Sequence, residues 1–213
     1  MDASASSPAS SNSRRYESGP DATTRATARA LAKLENAVAV VLVEGITDQI
    51  ALETAAAGIG RDLEAARVVV VPIGGAHAIG RFLAGLGPLA TRVRLAGLCD
   101  RREEDIFRRG LTMTQAGSPL YVCVDDLEDE LIRAVGTEGV EALFDSQGDL
   151  RSFRSFQSQP AWRGREPAAQ MYRFVRSSSV RNLVYARLLV EAAVRGGTLP
   201  RPLDAVLAAA CAT

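Results

Sequence analysis

The sequence of 213 residues is poor in lysine, histidine and aromatic side chains. Lys33 is the only lysine beside 24 arginines, and His77 is the only histidine. Any mechanism that needs a lysine therefore has one candidate. His77 has no partner histidine, so we predict that it starts a helix rather than acting as a general base. Aromatic residues make up only 5% of the chain, and a core built from Ala, Val and Leu favours an α/β domain over an aromatic-rich β-sandwich.

Cysteine pairs and long apolar runs are also missing. Cys99, Cys123 and Cys211 lie far apart and form no CxxC pair, which argues against a zinc ribbon or a disulfide framework and predicts buried thiols. No apolar run approaches the roughly 18 residues of a membrane span. The N-terminus lacks the charged-then-apolar pattern of a signal peptide. We therefore expect a cytoplasmic protein with no membrane partner.

The net charge of zero, 25 basic against 25 acidic residues, argues against a polybasic nucleic-acid binder. The charges are unevenly distributed, however. Residues 1–98 carry 10 basic and 9 acidic residues, residues 99–145 carry 5 and 12, and residues 146–213 carry 10 and 4. An acidic block therefore precedes a basic one, and this arrangement allows a nucleic-acid partner if a cation occupies the acidic block.

The chain divides into three predicted parts. Residues 1–22 are rich in Ser, Ala and Pro, which predicts a disordered tail. Residues 23–136, with a core at 37–136, show apolar strands that alternate with helices, and residues 137–213 contain only helical patterns and are predicted to pack on that domain as a helical extension. This alternation of strands and helices predicts an α/β fold with a right-handed, doubly wound parallel sheet of about four strands flanked by helices. The strands are predicted at 37–45, 67–75, 92–100 and from 119 onward.

Carboxylates follow three of the four predicted strands. Glu44 ends the first strand, Asp100 the third, and Asp125 and Asp126 the fourth. The carboxyl ends of parallel strands share one edge of the sheet, where ligands bind in open α/β folds. Mg²⁺ prefers such oxygen ligands, so a metal site is predicted; solvated helix N-termini, which also favour acids, are the alternative.

These motifs resemble a TOPRIM domain, the metal-binding α/β module of topoisomerases, bacterial primases and nucleases. VVLVEGITDQIAL (40–52), the Gly pair 74–75, GLCD (97–100) and DLEDELI (126–132) are most similar to the branch of overcoming-lysogenization-defect (OLD) nucleases. The resemblance implies a TOPRIM-like, Rossmannoid sheet. No GxxxxGK[ST] string occurs, so we expect a stand-alone domain whose ATPase partner, if it has one, is a separate protein.

The resemblance also implies roles for individual residues. Glu44 and Asp100 correspond to the catalytic and metal-binding acids of the family. The additional acids that serve a second metal in the OLD branch fall on Asp48, Asp126, Glu128 and Glu130. The implied cofactor is Mg²⁺ or Mn²⁺.

Two departures from the family pattern stand out. The DxD motif reads Asp100-Arg101-Arg102, and Glu103 is the candidate substitute ligand, although an α-helix at this point would turn it to a different azimuth. The usual C-terminal lysine is replaced by Arg181. An arginine can stabilise transition-state charge but cannot act as an acid at neutral pH.

The function predicted is metal-dependent phosphodiester chemistry on DNA or RNA, as in an endonuclease. The basic C-terminal helices would hold the nucleic-acid backbone through Arg151, Arg154, Arg176 and Arg181. In the RSFRSF string, Phe153 and Phe156 either stack on bases or belong to the core. The alternative function is a degenerate TOPRIM domain that binds metal or nucleic acid, or regulates a partner ATPase or nuclease, without catalysis. A homodimer is a further expectation.

Overall fold

The computed structural model of the protein describes Gly19 and residues 21–115 and 117–212. The predicted disordered tail lies almost wholly outside these residues. Four strands form one sheet in which every neighbouring pair is parallel, in the order β2-β1-β3-β4. The strands are β1 (Ala39–Val43), β2 (Val68–Pro72), β3 (Arg94–Asp100) and β4 (Leu120–Cys123). The predicted four-stranded parallel α/β fold is confirmed.

Helices follow each strand, and a helical segment completes the chain. The helices are α1 (Ala22–Leu31), α2 (Ile46–Gly58), α3 (Ile79–Leu86), α4 (Leu89–Arg92), α5 (Glu104–Thr114), α6 (Leu127–Ser146), α7 (Leu150–Gln157), α8 (Pro167–Val175), α9 (Ser179–Arg195) and α10 (Arg201–Cys211). Short 3₁₀ turns occur at Leu34–Asn36, Ala76–Ala78 and Arg101–Glu103. The helix α6 spans the predicted boundary at residue 136, where Gly136 breaks its geometry with φ 75°.

The alternation of side chains along β1 separates two apolar layers. Val41 and Val43 face a cluster that includes residues of α2, α6, α9 and α10, whereas Val40 and Leu42 face a cluster with α3 and α5. All four side chains are fully buried. Because β1 lies inside the sheet with helices on both faces, its sequence is continuously apolar, as parallel strands require. The C-terminal helices therefore share one core with the sheet.

The aromatic centre of this shared core gives a stability test. Phe144 is fully buried, and its ring lies 4.8 Å from Phe153, 5.1 Å from Phe174 and 5.1 Å from Tyr185. We expect Phe144→Ala to lower the free energy of unfolding by about 3–5 kcal/mol, because it leaves a cavity among close-packed rings. Urea unfolding monitored by circular dichroism measures this loss; a change below about 1 kcal/mol would contradict this packing.

The RSFRSF string belongs to the same core. Phe153 is fully buried, and Phe156 packs against the cluster and lies 5.0 Å from the ring of Trp162. Of the two interpretations left open by the sequence, the core interpretation therefore holds fully for Phe153, while Phe156 is partly buried against the same core. Cys99 and Cys123 are buried free thiols, as predicted, whereas Cys211, also predicted to be buried, is partly exposed near the end of α10.

The strand order fixes where the sheet can bind a ligand. The chain runs from β1 to β2 on one side and then returns to place β3 on the other side of β1. The crevice at the carboxyl ends of β1 and β3 is therefore the topological switch point, where open α/β sheets bind their ligands. None of the helices in the described ranges has the length and apolar content needed to cross a membrane.

Candidate metal centre

Glu44 and Asp100 face each other across the switch point. Glu44 directly follows β1, and Asp100 is the last residue of β3. The backbone N–H of Asp100 donates to Oε1 of Glu44 at 3.4 Å. Two neighbouring parallel strands thus deliver one carboxylate each to the same edge of the sheet.

A 3₁₀ turn brings a third carboxylate to this point. Residues Arg101–Glu103 form the turn immediately after Asp100. Side chains three residues apart align in a 3₁₀ helix, so Glu103 returns to the side of Asp100. Oxygens of Glu44, Asp100 and Glu103 all lie within 4.8 Å of one another. The azimuth expected for an α-helix at residue 102 was wrong, because α5 begins only at Glu104.

A turn that contains two glycines fixes the backbone position of Glu44 by hydrogen bonds. The backbone N–H groups of Gly74 and Gly75 both donate to the Glu44 carbonyl oxygen, each at 3.0 Å. Both glycines have positive φ, 81° and 103°, a conformation that other L-residues rarely adopt. The Gly pair after β2 therefore fixes the backbone that carries Glu44.

The three carboxylates are half-buried. Among the described residues none of them forms an ion pair. Burial raises the pKa of Glu44 above its usual 4.5, and the negative charge of Glu103 adds to the effect. Burial also raises the pKa of Asp100 to about 8, with contributions from Asp48 and Glu44. A bound cation would stabilise the charged form of Glu44 and of Asp100 and so lower both pKa values.

Asp48 and Glu128 are two further acidic residues, and they lie further inside the protein than the three carboxylates. Oδ2 of Asp48 accepts a hydrogen bond of 2.8 Å from the backbone N–H of Gly45, which caps α2. Burial raises the pKa of Asp48 to about 7. Glu128 is only 7% exposed, and burial raises its pKa even though Asn182 donates a hydrogen bond to it.

Both carboxylate oxygens of Asp126 bind other groups of the protein. Its Oδ1 accepts from the backbone N–H of Asp129 at 3.0 Å and so caps α6. Its Oδ2 accepts from the hydroxyl of Tyr172 and pairs with Nη1 of Arg176 at 2.6 Å. Both carboxylate oxygens therefore have protein partners.

Both carboxylate oxygens of Glu130 also have partners in the protein. Its Oε1 accepts a hydrogen bond of 2.8 Å from the backbone N–H of Val124, and its Oε2 lies 3.1 Å from Nη2 of Arg133. Within the described residues, Glu44, Asp100 and Glu103 thus have no cationic partner, whereas Asp126 and Glu130 each have one.

Two of the predicted phosphate-binding arginines also have acidic partners within the C-terminal helices. Arg154 contacts both carboxylate oxygens of Glu141, at 3.1 and 2.8 Å. Arg181 reaches Asp149 at 3.4 Å and lies over the ring of Phe174, 4.2 Å from its centroid. The contacts of Arg181 are thus with these residues and Ser177, and not with the acids of the metal centre.

Arg176 pairs with Asp126, as described above. Arg151 is exposed and forms no ion pair in the described part of the chain. Of the four arginines predicted to hold a nucleic-acid backbone, Arg151 is therefore the one whose guanidinium has no acidic partner among the described residues.

Sequence reasoning missed Tyr172 and Asn182. Tyr172 lies in α8, four residues before the C-cap residue Arg176, and this i, i+4 spacing places both side chains on one face. Asn182 follows Arg181 in α9, where its amide also lies 3.5 Å from Oγ1 of Thr47. The spacing of Tyr172 and Arg176 was a usable signal, whereas nothing local to Asn182 indicates its partner.

The parallel sheet with flanking helices is a TOPRIM-like α/β fold, and its acidic set lies at the switch point. Residues 37–101 match the family described as "Overcoming lysogenization defect protein-like, TOPRIM domain". The predicted resemblance to the TOPRIM domain of OLD proteins is thereby confirmed. A comparison with curated proteins gave no match.

Solved structures of OLD proteins have the same fold. The C-terminal region of the Burkholderia pseudomallei OLD protein is 14% identical, with a TM-score of 0.52 over 82% of this chain and 96% of that one. The mercury-phased C-terminal region of the Xanthomonas campestris pv. campestris OLD protein is 16% identical, with a TM-score of 0.55 over 82% and 95%. Its platinum-phased counterpart is 16% identical, with a TM-score of 0.53 over 84% and 96%. The similarity extends beyond residue 101 into the C-terminal helices.

Proposed function

We propose that this domain carries out metal-dependent phosphodiester chemistry on nucleic acid. The observation that supports the proposal most strongly is the convergence of Glu44, Asp100 and Glu103, three carboxylates without a cationic partner in the described chain, at the switch point of the sheet. This donor set consists of oxygen only, which suits Mg²⁺ or Mn²⁺ and disfavours softer metals.

The cation and the protein would each supply a part of the chemistry. A divalent ion held by the three carboxylates would supply Lewis acidity toward a phosphate oxygen. Glu44 is the candidate metal ligand or general acid or base, which is the role that the family resemblance implies for it. Arg102 is exposed in the 3₁₀ turn beside Asp100 and forms no ion pair in the described ranges, so it is available to contact phosphate.

The nucleic-acid backbone is assigned to arginines of the C-terminal helices. Arg151 is directly available. The exposed ion pair between Arg154 and Glu141 contributes little stability, so a phosphate can replace the carboxylate at small cost. Arg176 and Arg181 would need to leave Asp126 and Asp149. The binding expected is driven by phosphate contacts, and its affinity should fall with increasing salt.

A nicking assay tests the proposal. Supercoiled plasmid is incubated with the protein and Mg²⁺ or Mn²⁺, with chelator as the control, and RNA is tested in parallel. We expect conversion to the open-circular form or cleavage of RNA only when metal is present. Metal binding without cleavage of either substrate would refute the catalytic proposal.

A non-catalytic function is the second candidate, and the state of Arg181 favours it. This residue stands where the OLD branch carries a lysine, yet its guanidinium is held by Asp149 and Phe174. Under this alternative the domain binds metal or nucleic acid, or regulates a partner, without cleavage. The separate ATPase, the homodimer and the cytoplasmic location remain predictions.

The raised pKa values give metal binding a definite pH dependence. Asp100, with a pKa of about 8, and Asp48, with a pKa of about 7, hold protons near neutral pH in the metal-free protein. A cation must displace these protons, so the apparent affinity for Mn²⁺ should increase from about pH 6 to about pH 9. Calorimetric titrations across this range, in buffers of different ionisation enthalpy, measure both the affinity and the protons released. An affinity that is constant with pH would contradict the prediction.

A further inference from the structure

The acids that the family resemblance assigns to a second metal do not converge as metal ligands in this structure. These acids are Asp48, Asp126, Glu128 and Glu130. Among the described residues, the three carboxylates of the metal centre form the one set of three acidic, cysteine or histidine side chains whose ligand atoms lie within 4.8 Å of one another. Asp126 and Glu130 are each paired with an arginine instead. The four acids, as the structure holds them, do not fit a second divalent ion.

Arg176 supplies positive charge at this place. Its Nη1 lies 2.6 Å from Oδ2 of Asp126 and also donates to the hydroxyl of Tyr172. The side chain of Asp126 is only 14% exposed, so this ion pair is partly shielded from water. Although burial opposes the change, the pKa of Arg176 is raised, and the negative charge of Glu128 is the largest of the raising effects. The guanidinium therefore interacts with Glu128 as well as with Asp126.

The fold holds this arginine in position. Arg176 is the C-cap residue of α8, and its guanidinium carbon lies 5.0 Å from the ring centroid of Tyr172 in the same helix. Phe174 and Val175 anchor α8 in the core. A cation that is tethered to the chain competes with a free ion at a high effective concentration. The packing of α8 thus gives Asp126 a built-in cationic partner.

We propose that, in the protein free of nucleic acid, the guanidinium of Arg176 takes the place of a second divalent cation. The domain then binds one divalent ion, at Glu44, Asp100 and Glu103. An ion at Asp126 would have to displace an arginine, which stays charged at every pH at which the carboxylates are ionised. The proposal rests on the metal centre of the proposed function, but it does not depend on cleavage.

The number of Mn²⁺ ions bound per chain tests this proposal. Equilibrium dialysis of the full-length protein at about pH 8, with free Mn²⁺ measured by electron paramagnetic resonance, gives the number without any activity measurement. We expect one ion per chain for the wild-type protein. Arg176→Met keeps a long unbranched side chain but removes the charge that Asp126 and Glu128 share. The number should therefore rise to two in this variant, and Arg176→Gln serves if Arg176→Met does not fold.

Two further variants act as controls. Arg151→Met also removes one positive charge from the C-terminal helices, but Arg151 forms no ion pair in the described part of the chain, so this variant should bind one ion. Asp126→Asn keeps an oxygen for the cap of α6 and should bind one ion with nearly the wild-type Kd.

The outcomes separate this proposal from the proposed function. Two ions bound by the wild-type protein, one ion bound by folded Arg176→Met, or the loss of an ion in Asp126→Asn would overturn the role of Arg176. No ion bound by the wild-type protein would overturn the metal centre as well. A failure of cleavage alone leaves the number of bound ions unchanged and refutes only the catalytic proposal.

Discussion

Glu44→Gln should abolish metal-dependent cleavage while leaving the fold intact. Glutamine keeps the size of the side chain but removes the charge that completes the set with Asp100 and Glu103. Cleavage should fall by about 10²–10³-fold, because a bound ion contributes several kcal/mol to transition-state stabilisation and each ~1.4 kcal/mol corresponds to tenfold in rate. Initial rates of plasmid nicking, at an Mn²⁺ concentration that saturates the wild-type protein, measure the loss.

The matched control for this variant is Glu35→Gln, since Glu35 is an exposed acid in the 3₁₀ turn before β1. This variant should nick at the wild-type rate. Thermal unfolding of Glu44→Gln should occur at or above the wild-type temperature, because the change removes a carboxylate whose charge is disfavoured by burial. Wild-type activity in Glu44→Gln would remove Glu44 from the site.

Glu103→Gln should weaken metal binding roughly tenfold or more, because the charge of the ligands tunes the affinity for a hard cation. The effect is expected only if Glu103 replaces the second aspartate of the family motif, as the 3₁₀ turn at Arg101–Glu103 allows. Calorimetric titration with Mn²⁺ measures the change in Kd.

The neighbouring residue provides a close control for this second variant. Glu104 carries the same charge one position along the chain, but it begins α5 and pairs with Arg108 at 2.6 Å. Glu104→Gln should therefore bind Mn²⁺ almost as tightly as the wild-type protein. Equal weakening in both variants would show that general charge, and not coordination by Glu103, sets the affinity.

The sequence predicted the parts of the fold that follow from local pattern. The unbroken apolar run before Glu44 predicted a strand buried on both faces, and β1 lies inside the sheet. Since Glu44 and Asp100 end two predicted strands of one parallel sheet, their meeting at one edge follows from topology alone.

The remaining features depend on geometry that local pattern does not contain. Whether residue 103 lies near residue 100 depends on a choice between 3₁₀ and α geometry at Arg101, and composition does not decide it. Asp126 pairs with Arg176, and Arg181 pairs with Asp149. The two members of each pair are distant in sequence, and only the packing of the segments from α6 to α9 brings them together. The short helix α4 was also missed, because Leu89–Arg92 is too short to show a helical period.

Calorimetric titration of the wild-type protein with Mn²⁺, compared with Glu44→Gln under the same conditions, tests the central claim most directly. The geometry of Glu44, Asp100 and Glu103 predicts saturable binding by the wild-type protein at about pH 8, with release of protons, and its loss in the variant. Equal binding by both proteins, or no binding by the wild type, would contradict a metal centre at the switch point of this sheet.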